Sequence, residues 1–186
     1  MLNIVLHEPE IPFNTGAIGR TCVATGTRLH MIEPFGFVLS DKYIKRAGMD
    51  YWKDLDLAKY IDYEDFLKKN PGIRFGARAL PEEDKGPRLW FATTKAHQTY
   101  ADVSFGPDDF IMFGKESAGI PEEILSHHEE SCIRIPMAGD TRSLNLSNSA
   151  SIILYEALRQ NDFCGLNRKG ELHRLSWETD GGDRQE

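Results

Sequence analysis

The most informative stretch of this sequence is Ile135-Pro-Met-Ala-Gly-Asp-Thr-Arg-Ser-Leu-Asn-Leu-Ser-Asn-Ser-Ala-Ser151. An apolar strand, Cys132–Ile135, leads into this stretch, and an amphipathic helix that begins near Ser147 leads out of it. The loop between them leaves many backbone N–H and C=O groups outside regular structure, and folded proteins satisfy such groups. A bound small polar ligand is one way to do so; an ordinary strand–turn–helix connection with Ser and Asn caps is the alternative.

The rest of the chain alternates short apolar strands with helical patterns. Strands are expected at Asn3–His7, Leu29–Glu33, Leu89–Thr93, Phe110–Phe113 and Cys132–Ile135, and helices at about Thr15–Thr25, Tyr63–Lys69 and Pro121–His127. This alternation predicts an α/β fold with a mostly parallel sheet and helices on both faces. Ligands of such sheets bind beyond the carboxyl ends of the strands, which is where the polar loops of this sequence fall.

Two further polar loops follow strands in the same way. Pro9–Arg20 opens a helix that Asn14 or Thr15 can cap, and Phe110–Pro121 runs from a strand into a glycine-containing turn. Neither loop has the spacing of a dinucleotide-binding or a Walker motif. Taken alone, each loop is explained equally well as part of a ligand site or as surface structure with solvated charges. The three together, each at the end of a strand, indicate a ligand site.

Composition sets broad limits on function. The chain has 186 residues, of which 40% are hydrophobic and 27% charged, and its net charge of −7, taken alone, argues against a nucleic-acid partner. Three separated cysteines form no disulfide or zinc pattern, and the N-terminus lacks the features of a signal peptide. We therefore expect a cytoplasmic protein without a membrane span. His127 and His128 have no further ligands at suitable spacing, so we expect no metal.

The chain reads as one domain over residues 1–165, followed by a polar and partly mobile tail over residues 166–186. Within the domain, Gly72–Arg88 is rich in Gly, Pro and charge and is interpreted as a surface excursion.

Three segments together resemble the motifs of the SPOUT class of RNA methyltransferases. They are Asn14-Thr-Gly…Arg20, Phe113-Gly-Lys-Glu-Ser-Ala-Gly-Ile-Pro121 and Ile135-Pro-Met…Ser143-Leu-Asn-Leu-Ser-Asn148. The sequence is most similar to the small bacterial tRNA ribose 2′-O-methyltransferases that modify the wobble nucleotide, cytidine or uridine. The similarity extends from residue 1 to about Leu158. Phe13 and Ala17 depart from the usual Pro and Asn of these relatives, which bears on substrate choice more than on reaction type.

The resemblance implies a C-terminal trefoil knot, S-adenosylmethionine as cofactor, tRNA as substrate and a homodimer with the RNA site across its interface. The residues that it assigns to the cofactor are Thr93, Gly114, Ile135, Met137, Ser143 and Leu144. Those that it assigns to the RNA side are Asn14, Arg20, Glu116, Asn145 and Tyr155. We add Lys42, Lys45 and Arg46 as candidate phosphate contacts, for which a solvated helix face is an equally good explanation.

Arg20 is the candidate catalytic residue. The family assigns it the role of the base that deprotonates the ribose hydroxyl, but a guanidinium donates hydrogen bonds and does not accept a proton. Arg20 can instead stabilise negative charge on the ribose oxygen or hold an adjacent phosphate.

Three alternatives stay open: a ribose methyltransferase acting on ribosomal RNA or another tRNA position, a non-catalytic RNA-binding protein of the same fold, and an unrelated nucleotide-binding protein.

Overall fold

The computed structural model describes residues 1–38, 50–76, 86–139 and 142–177, and a parallel sheet forms its centre. The strands are β1 (Asn3–His7), β2 (Arg28–Ile32), β3 (Leu57–Tyr60), β4 (Arg74–Phe75), β5 (Arg88–Ala92), β6 (Phe110–Phe113) and β7 (Cys132–Ile133). The helices are α1 (Pro12–Thr25), α2 (Tyr63–Lys69), α3 (Glu122–Leu125) and α4 (Leu146–Gln160), with two short 3-10 helices at Asp50–Asp54 and Glu129–Ser131.

The strand order is β3-β2-β1-β6-β5-β4, and every pairing in the sheet is parallel. β4 pairs with the first half of β5, and β7 pairs with its second half. The central strands β1 and β6 are buried along their whole length, as expected for apolar strands covered on both faces. All strands therefore end at one edge of the sheet, which brings the loops that follow them together.

Helices cover both faces of the sheet, which confirms the α/β prediction. Because side chains alternate along a strand, Ile4 and Leu6 of β1 face one cluster of buried residues and Val5 faces the other. The first cluster includes Ile18 of α1 and Ile153 of α4, among others. The second includes Phe66 of α2 and Leu125 of α3, so the two long helices lie on one face and the two short ones on the other.

Helix α4 follows the predicted pattern closely. Its buried residues are Ala150, Ile153, Leu154, Ala157 and Leu158. The helix begins at Leu146, one residue before the predicted start, because Asn145 is its N-cap. The side-chain oxygen of Asn145 accepts hydrogen bonds from the backbone N–H groups of Ser147 and Asn148, a contact that stabilises a helix by about 1 kcal/mol.

The structure differs from the sequence prediction in several elements. β2 and β5 begin and end one residue earlier than predicted, and β7 stops two residues sooner. The strand β3 was not predicted. The interpretation of Gly72–Arg88 as a surface excursion is wrong for its first part, because Arg74 and Phe75 form β4 and pair with β5. These strands are too short or too polar for period-2 alternation to reveal them.

Some predictions are not tested by these elements. Lys42, Lys45 and Arg46 lie outside the described residues. The domain division, the mobility of the tail and the trefoil knot stay predictions; residues 167–177 are exposed and form no helix or strand. Within the parts of the chain that the structure describes, no helix is long and apolar enough to cross a membrane.

Candidate cofactor and RNA site

A cavity of about 550 Å³ opens at the carboxyl edge of the sheet, within the size range of small-molecule sites. Its walls are the loops that follow β5, β6 and β7 and the first turns of α1 and α4. The six residues that the resemblance assigns to the cofactor all line it: Thr93, Gly114, Ile135, Met137, Ser143 and Leu144. Asn14, Glu116 and Asn145 line it as well, so nine of the expected site residues meet in one place.

A chain of hydrogen bonds joins the three motif segments beside this cavity. The side-chain amide of Asn14 donates to Glu116 Oε1 at 2.9 Å, and the amide of Asn145 donates to Asn14 Oδ1 at 2.9 Å. Asn145 Oδ1 in turn accepts from the start of α4. Each segment therefore fixes the position of the next, although the contacts span 102 and 131 residues of sequence.

Glu116 also organises the start of helix α1. Its Oε2 accepts the backbone N–H of Glu10 at 2.8 Å, and its Oε1 accepts that of Ile11 at 3.2 Å. A carboxylate at a helix N-terminus also interacts favourably with the helix dipole. The expectation that Asn14 or Thr15 caps α1 is wrong: the N-cap is Ile11, which has no side-chain cap. The missing cap is replaced by a residue that is distant in sequence.

The loop after β6 lies so close to itself that Gly114 has no room for a side chain. A Cβ atom there would lie 2.0 Å from the carbonyl carbon of Gly119. Gly119 has a φ of +75° and donates its N–H to the carbonyl of Lys115 at 2.8 Å. This reversal turns the backbone of the loop toward the cavity, and only glycine permits both features.

Charged side chains brace the rim of the cavity. Lys115 Nζ contacts Glu8 at 2.9 Å, and this hydrogen bond raises the pKa of the lysine. Glu10 accepts hydrogen bonds from the hydroxyl and the N–H of Ser117, which lower the pKa of its carboxyl. These contacts tie the loop after β1 to the loop after β6.

Two cations that line the cavity were not predicted from the sequence. Lys95 contacts Glu122 at 2.7 Å, whereas Arg142 has no carboxylate partner among the residues that the structure describes. Their positions, two residues after Thr93 and one before Ser143, are the only signal in the sequence that points to them.

The structure places Arg20 and Tyr155 apart from the cavity. Arg20 is exposed, six residues and about 9 Å along α1 from Asn14, and does not line the cavity. Its guanidinium lies 5.3 Å from the centre of the Tyr51 ring. Tyr155 is 48% exposed on the outer side of α4, as its position off the apolar stripe predicts.

The fold and the site together define a class: an α/β protein whose ligand cavity is built from loops at the carboxyl edge of a parallel sheet. Residues 1–155 match the SpoU rRNA Methylase family, and the chain belongs to this family. The match covers all three motif segments up to the middle of α4.

Individual relatives agree with this assignment. The tRNA (cytidine(34)-2′-O)-methyltransferase of Escherichia coli K12 is 45% identical over 166 residues, which cover 89% of this chain and 97% of the relative. A solved structure from Bacillus anthracis superposes with a TM-score of 0.79 at 39% identity, covering 91% of this chain and all of that one. A second, described as giving structural insights into the 2-OH methylation of C/U34 on tRNA, superposes with a TM-score of 0.75 at 37% identity, covering 87% and 97%. The resemblance to RNA methyltransferases is thus confirmed.

Proposed function

We propose that this protein transfers a methyl group from S-adenosylmethionine to the ribose 2′-hydroxyl of the wobble nucleotide of tRNA, cytidine or uridine. The observation that carries the proposal is the cavity in which the three motif segments meet, tied together by Glu116, Asn14 and Asn145. The 45% identity to a relative named for this reaction supports the substrate.

The cavity fits S-adenosylmethionine in size and in chemistry. Gly114 lets the loop after β6 fold closely back on Gly119 at the wall of the cavity, while Ile135 and Ile153 supply apolar walls for a purine. Polar contacts to the rest of such a molecule are offered by Thr93, Ser143 and the cation Arg142, which line the same cavity. The bound cofactor supplies a methyl group on a positively charged sulfur. The contribution of the chain is to hold that methyl group in line with a ribose oxygen and to exclude water.

Arg20 acts on the RNA side of the reaction. Its guanidinium carries hydrogen-bond donors and a fixed charge, which suit a ribose oxygen that becomes negative or an adjacent phosphate. Because Arg20 lies outside the cavity of its own protomer, the proposal includes a homodimer with the RNA site across the interface. Exposed apolar residues on α1 and α4 suit that interface: Phe13, Ile152 and Tyr155.

The RNA would be bound as a single-stranded loop whose bases are splayed from the stack, as in the anticodon loop. The proposed site of action is the cytoplasm.

Asn14, Glu116 and Asn145 hold the loops against each other, so their contribution to RNA binding is indirect. Lys42, Lys45 and Arg46 remain candidate phosphate contacts. Their neutralisation is expected to weaken binding of all RNAs alike and to reduce its salt dependence.

The test is transfer of labelled methyl from S-adenosylmethionine to tRNA that lacks ribose methylation, followed by nucleoside mapping. We expect label in the 2′-O-methylated nucleotide at position 34. Since the family is named for ribosomal RNA, the same assay is run on unmodified ribosomal RNA. Label in ribosomal RNA and none in tRNA would overturn the substrate assignment.

The same assay tests Arg20. Arg20→Ala is expected to lose methyl transfer while keeping cofactor binding. Arg28→Ala is the matched control, because Arg28 is also an exposed arginine but lies at the amino end of β2, paired with Asp56. Near wild-type turnover in Arg20→Ala would refute the catalytic role. A mass measurement in solution tests the dimer.

A further inference from the structure

The aromatic ring of Tyr51 lies against the side chain of Arg20. The guanidinium carbon is 5.3 Å from the ring centre, within the range of a cation–π contact. Tyr51 belongs to the 3-10 helix Asp50–Asp54, which none of the three motif segments includes. No pattern in the sequence joins these two residues, which are separated by 31 positions.

The tyrosine ring is itself fixed to the helix that carries Arg20. Its hydroxyl donates a hydrogen bond of 2.6 Å to the carbonyl of Gly16, one turn before Arg20 on α1. The next residue, Trp52, packs against Gly19, where a Cβ would lie 3.1 Å from the indole ring. Burial raises the pKa of the Tyr51 hydroxyl, so it stays protonated and keeps donating. The ring therefore has a defined position relative to α1.

Arg20 has few other constraints. Its side chain is exposed, and no carboxylate pairs with it in the described part of the chain. A free arginine side chain samples many rotamers, and restricting it costs conformational entropy each time it binds. A ring held against one face of the guanidinium removes part of that freedom before the substrate arrives.

We propose that Tyr51 is a positioning residue for Arg20: it holds the guanidinium through its ring and holds its own ring through the hydroxyl bond to Gly16. This inference rests on the proposed role of Arg20 in methyl transfer. Tyr51 does not touch the cavity, so it acts on the reaction only through Arg20 and leaves cofactor binding unchanged.

The kinetic test compares four variants for methyl transfer to tRNA: Tyr51→Leu, Tyr51→Phe, Arg20→Lys and the double variant Tyr51→Leu/Arg20→Lys. Tyr51→Leu removes both the ring and the hydroxyl bond and should lower turnover about 10-fold. Tyr51→Phe keeps the ring and should lose no more than about 3-fold. Both should bind S-adenosylmethionine with the affinity of the wild type.

The double variant separates positioning from general packing. If Tyr51 acts through Arg20, Tyr51→Leu changes the same parameter, kcat or KM, that Arg20→Lys changes, and it has little further effect in the Arg20→Lys background. Trp52→Leu is the packing control, since it loosens the same segment without removing the ring from Arg20. An equal loss in both backgrounds, or the same loss in Trp52→Leu, would overturn the proposal.

A second measurement does not depend on activity. The NMR signal of the Arg20 Nε–H group, assigned by its absence in Arg20→Lys, should be shifted by the Tyr51 ring and ordered in the wild type. In Tyr51→Leu it should move to the position of a solvated arginine. If the wild type methylates no RNA, the proposed function fails while this measurement still decides the contact. If the wild type is active but the signal is unchanged in Tyr51→Leu, the positioning role fails alone.

Discussion

At each of the two edges of the sheet where strands begin or end, one carboxylate accepts several hydrogen bonds, but the two carboxylates have different roles. At the amino edge, Asp109 accepts three hydrogen bonds of 2.9 Å, from the N–H groups of Arg88 and Gly106 and from the indole of Trp90. At the carboxyl edge, Glu116 also accepts three, from Glu10, Ile11 and Asn14. In both places one carboxylate joins segments that are distant in sequence.

The two carboxylates differ in what surrounds them. Asp109 is 2% exposed, and burial raises its pKa despite its three donors. Beside it, Asn3 contacts His30, which in turn contacts Tyr60, and all three are buried. Glu116 is only half-buried and faces the cavity. A saturated carboxylate therefore stabilises the fold where water is excluded, and fixes the geometry of a site where a cavity adjoins it.

The largest effect is expected at the carboxyl edge, from Gly114→Ala. The added Cβ would displace the backbone at Gly119, and the loop would lose its approach to the cavity. We expect the Kd for S-adenosylmethionine to rise about 100-fold, which is the upper range for a forced backbone shift. Titration calorimetry measures it. Gly170→Ala is the control and should bind normally, because the added Cβ meets no atom within 4 Å in the part of the chain that the structure describes. A Kd within twofold of the wild type in Gly114→Ala would show that the loop is adaptable.

The next effect concerns the amino edge and depends on pH. Burial, with a smaller contribution from Arg28, lowers the pKa of His30 from its usual 6.5 to about 4. Between about pH 4 and about pH 6.5, the unfolded chain therefore binds a proton at His30 and the folded protein does not. The contribution of His30 to the free energy of unfolding is complete above about pH 6.5 and is lost as the pH falls toward 4. The shift corresponds to about 3 kcal/mol.

Urea unfolding at about pH 7 and about pH 4.5 measures this pH dependence. His30→Gln should reduce the difference in unfolding free energy between the two conditions. His97→Gln, which changes an exposed histidine, is the control for the substitution itself. An undiminished difference in His30→Gln would assign the acid sensitivity to other groups, of which His7 is the first candidate because burial lowers its pKa too.

Asp109→Asn should separate stability from function. The amide nitrogen would face N–H donors and leave at least one of them unpaired in the core, at a cost of about 2–3 kcal/mol. We expect a lower midpoint of thermal unfolding and a normal kcat at a temperature where the variant is folded. A loss of turnover in the folded variant would contradict the division between the two edges.

Glu116→Gln should have the smallest effect on stability and a larger one on activity. The site is half-buried, so water can satisfy a displaced N–H, and the loss of unfolding free energy should be about 1 kcal/mol. Turnover should fall about 10-fold, because the hydrogen bonds of this carboxylate fix the positions of the Asn14 and Asn145 side chains. Steady-state kinetics beside thermal unfolding distinguishes the two quantities. Equal stability losses in Glu116→Gln and Asp109→Asn would remove the contrast.

Local patterns predicted those parts of the molecule that depend on local sequence. The apolar runs of β1 and β6 and the spacing of apolar residues in α4 were sufficient to locate these elements. The strand β4, with two residues, is too short for a period to be visible. The start of α1 could not be predicted from its own residues, because the group that completes it is Glu116.

The candidate site shows the same division. The family resemblance located nine of the residues that line the cavity, although Lys95 and Arg142 were not among them. It did not reveal that Glu116 and Asn145 accept hydrogen bonds from backbone N–H groups, since those contacts form only in the folded chain. Nor did it indicate Tyr51, whose relation to Arg20 is a matter of packing alone.

The position of Glu116 has a consequence for protein synthesis. The ribosome adds it 102 residues after Asn14, which at about 10 residues per second is an interval of about ten seconds. During that time the start of α1 lacks its carboxylate. β1 has β2 as a neighbour but no β6, which belongs on its other side, so one edge of the central strand is open to other chains. The nascent first half of this protein therefore exposes a strand edge that the complete sheet covers.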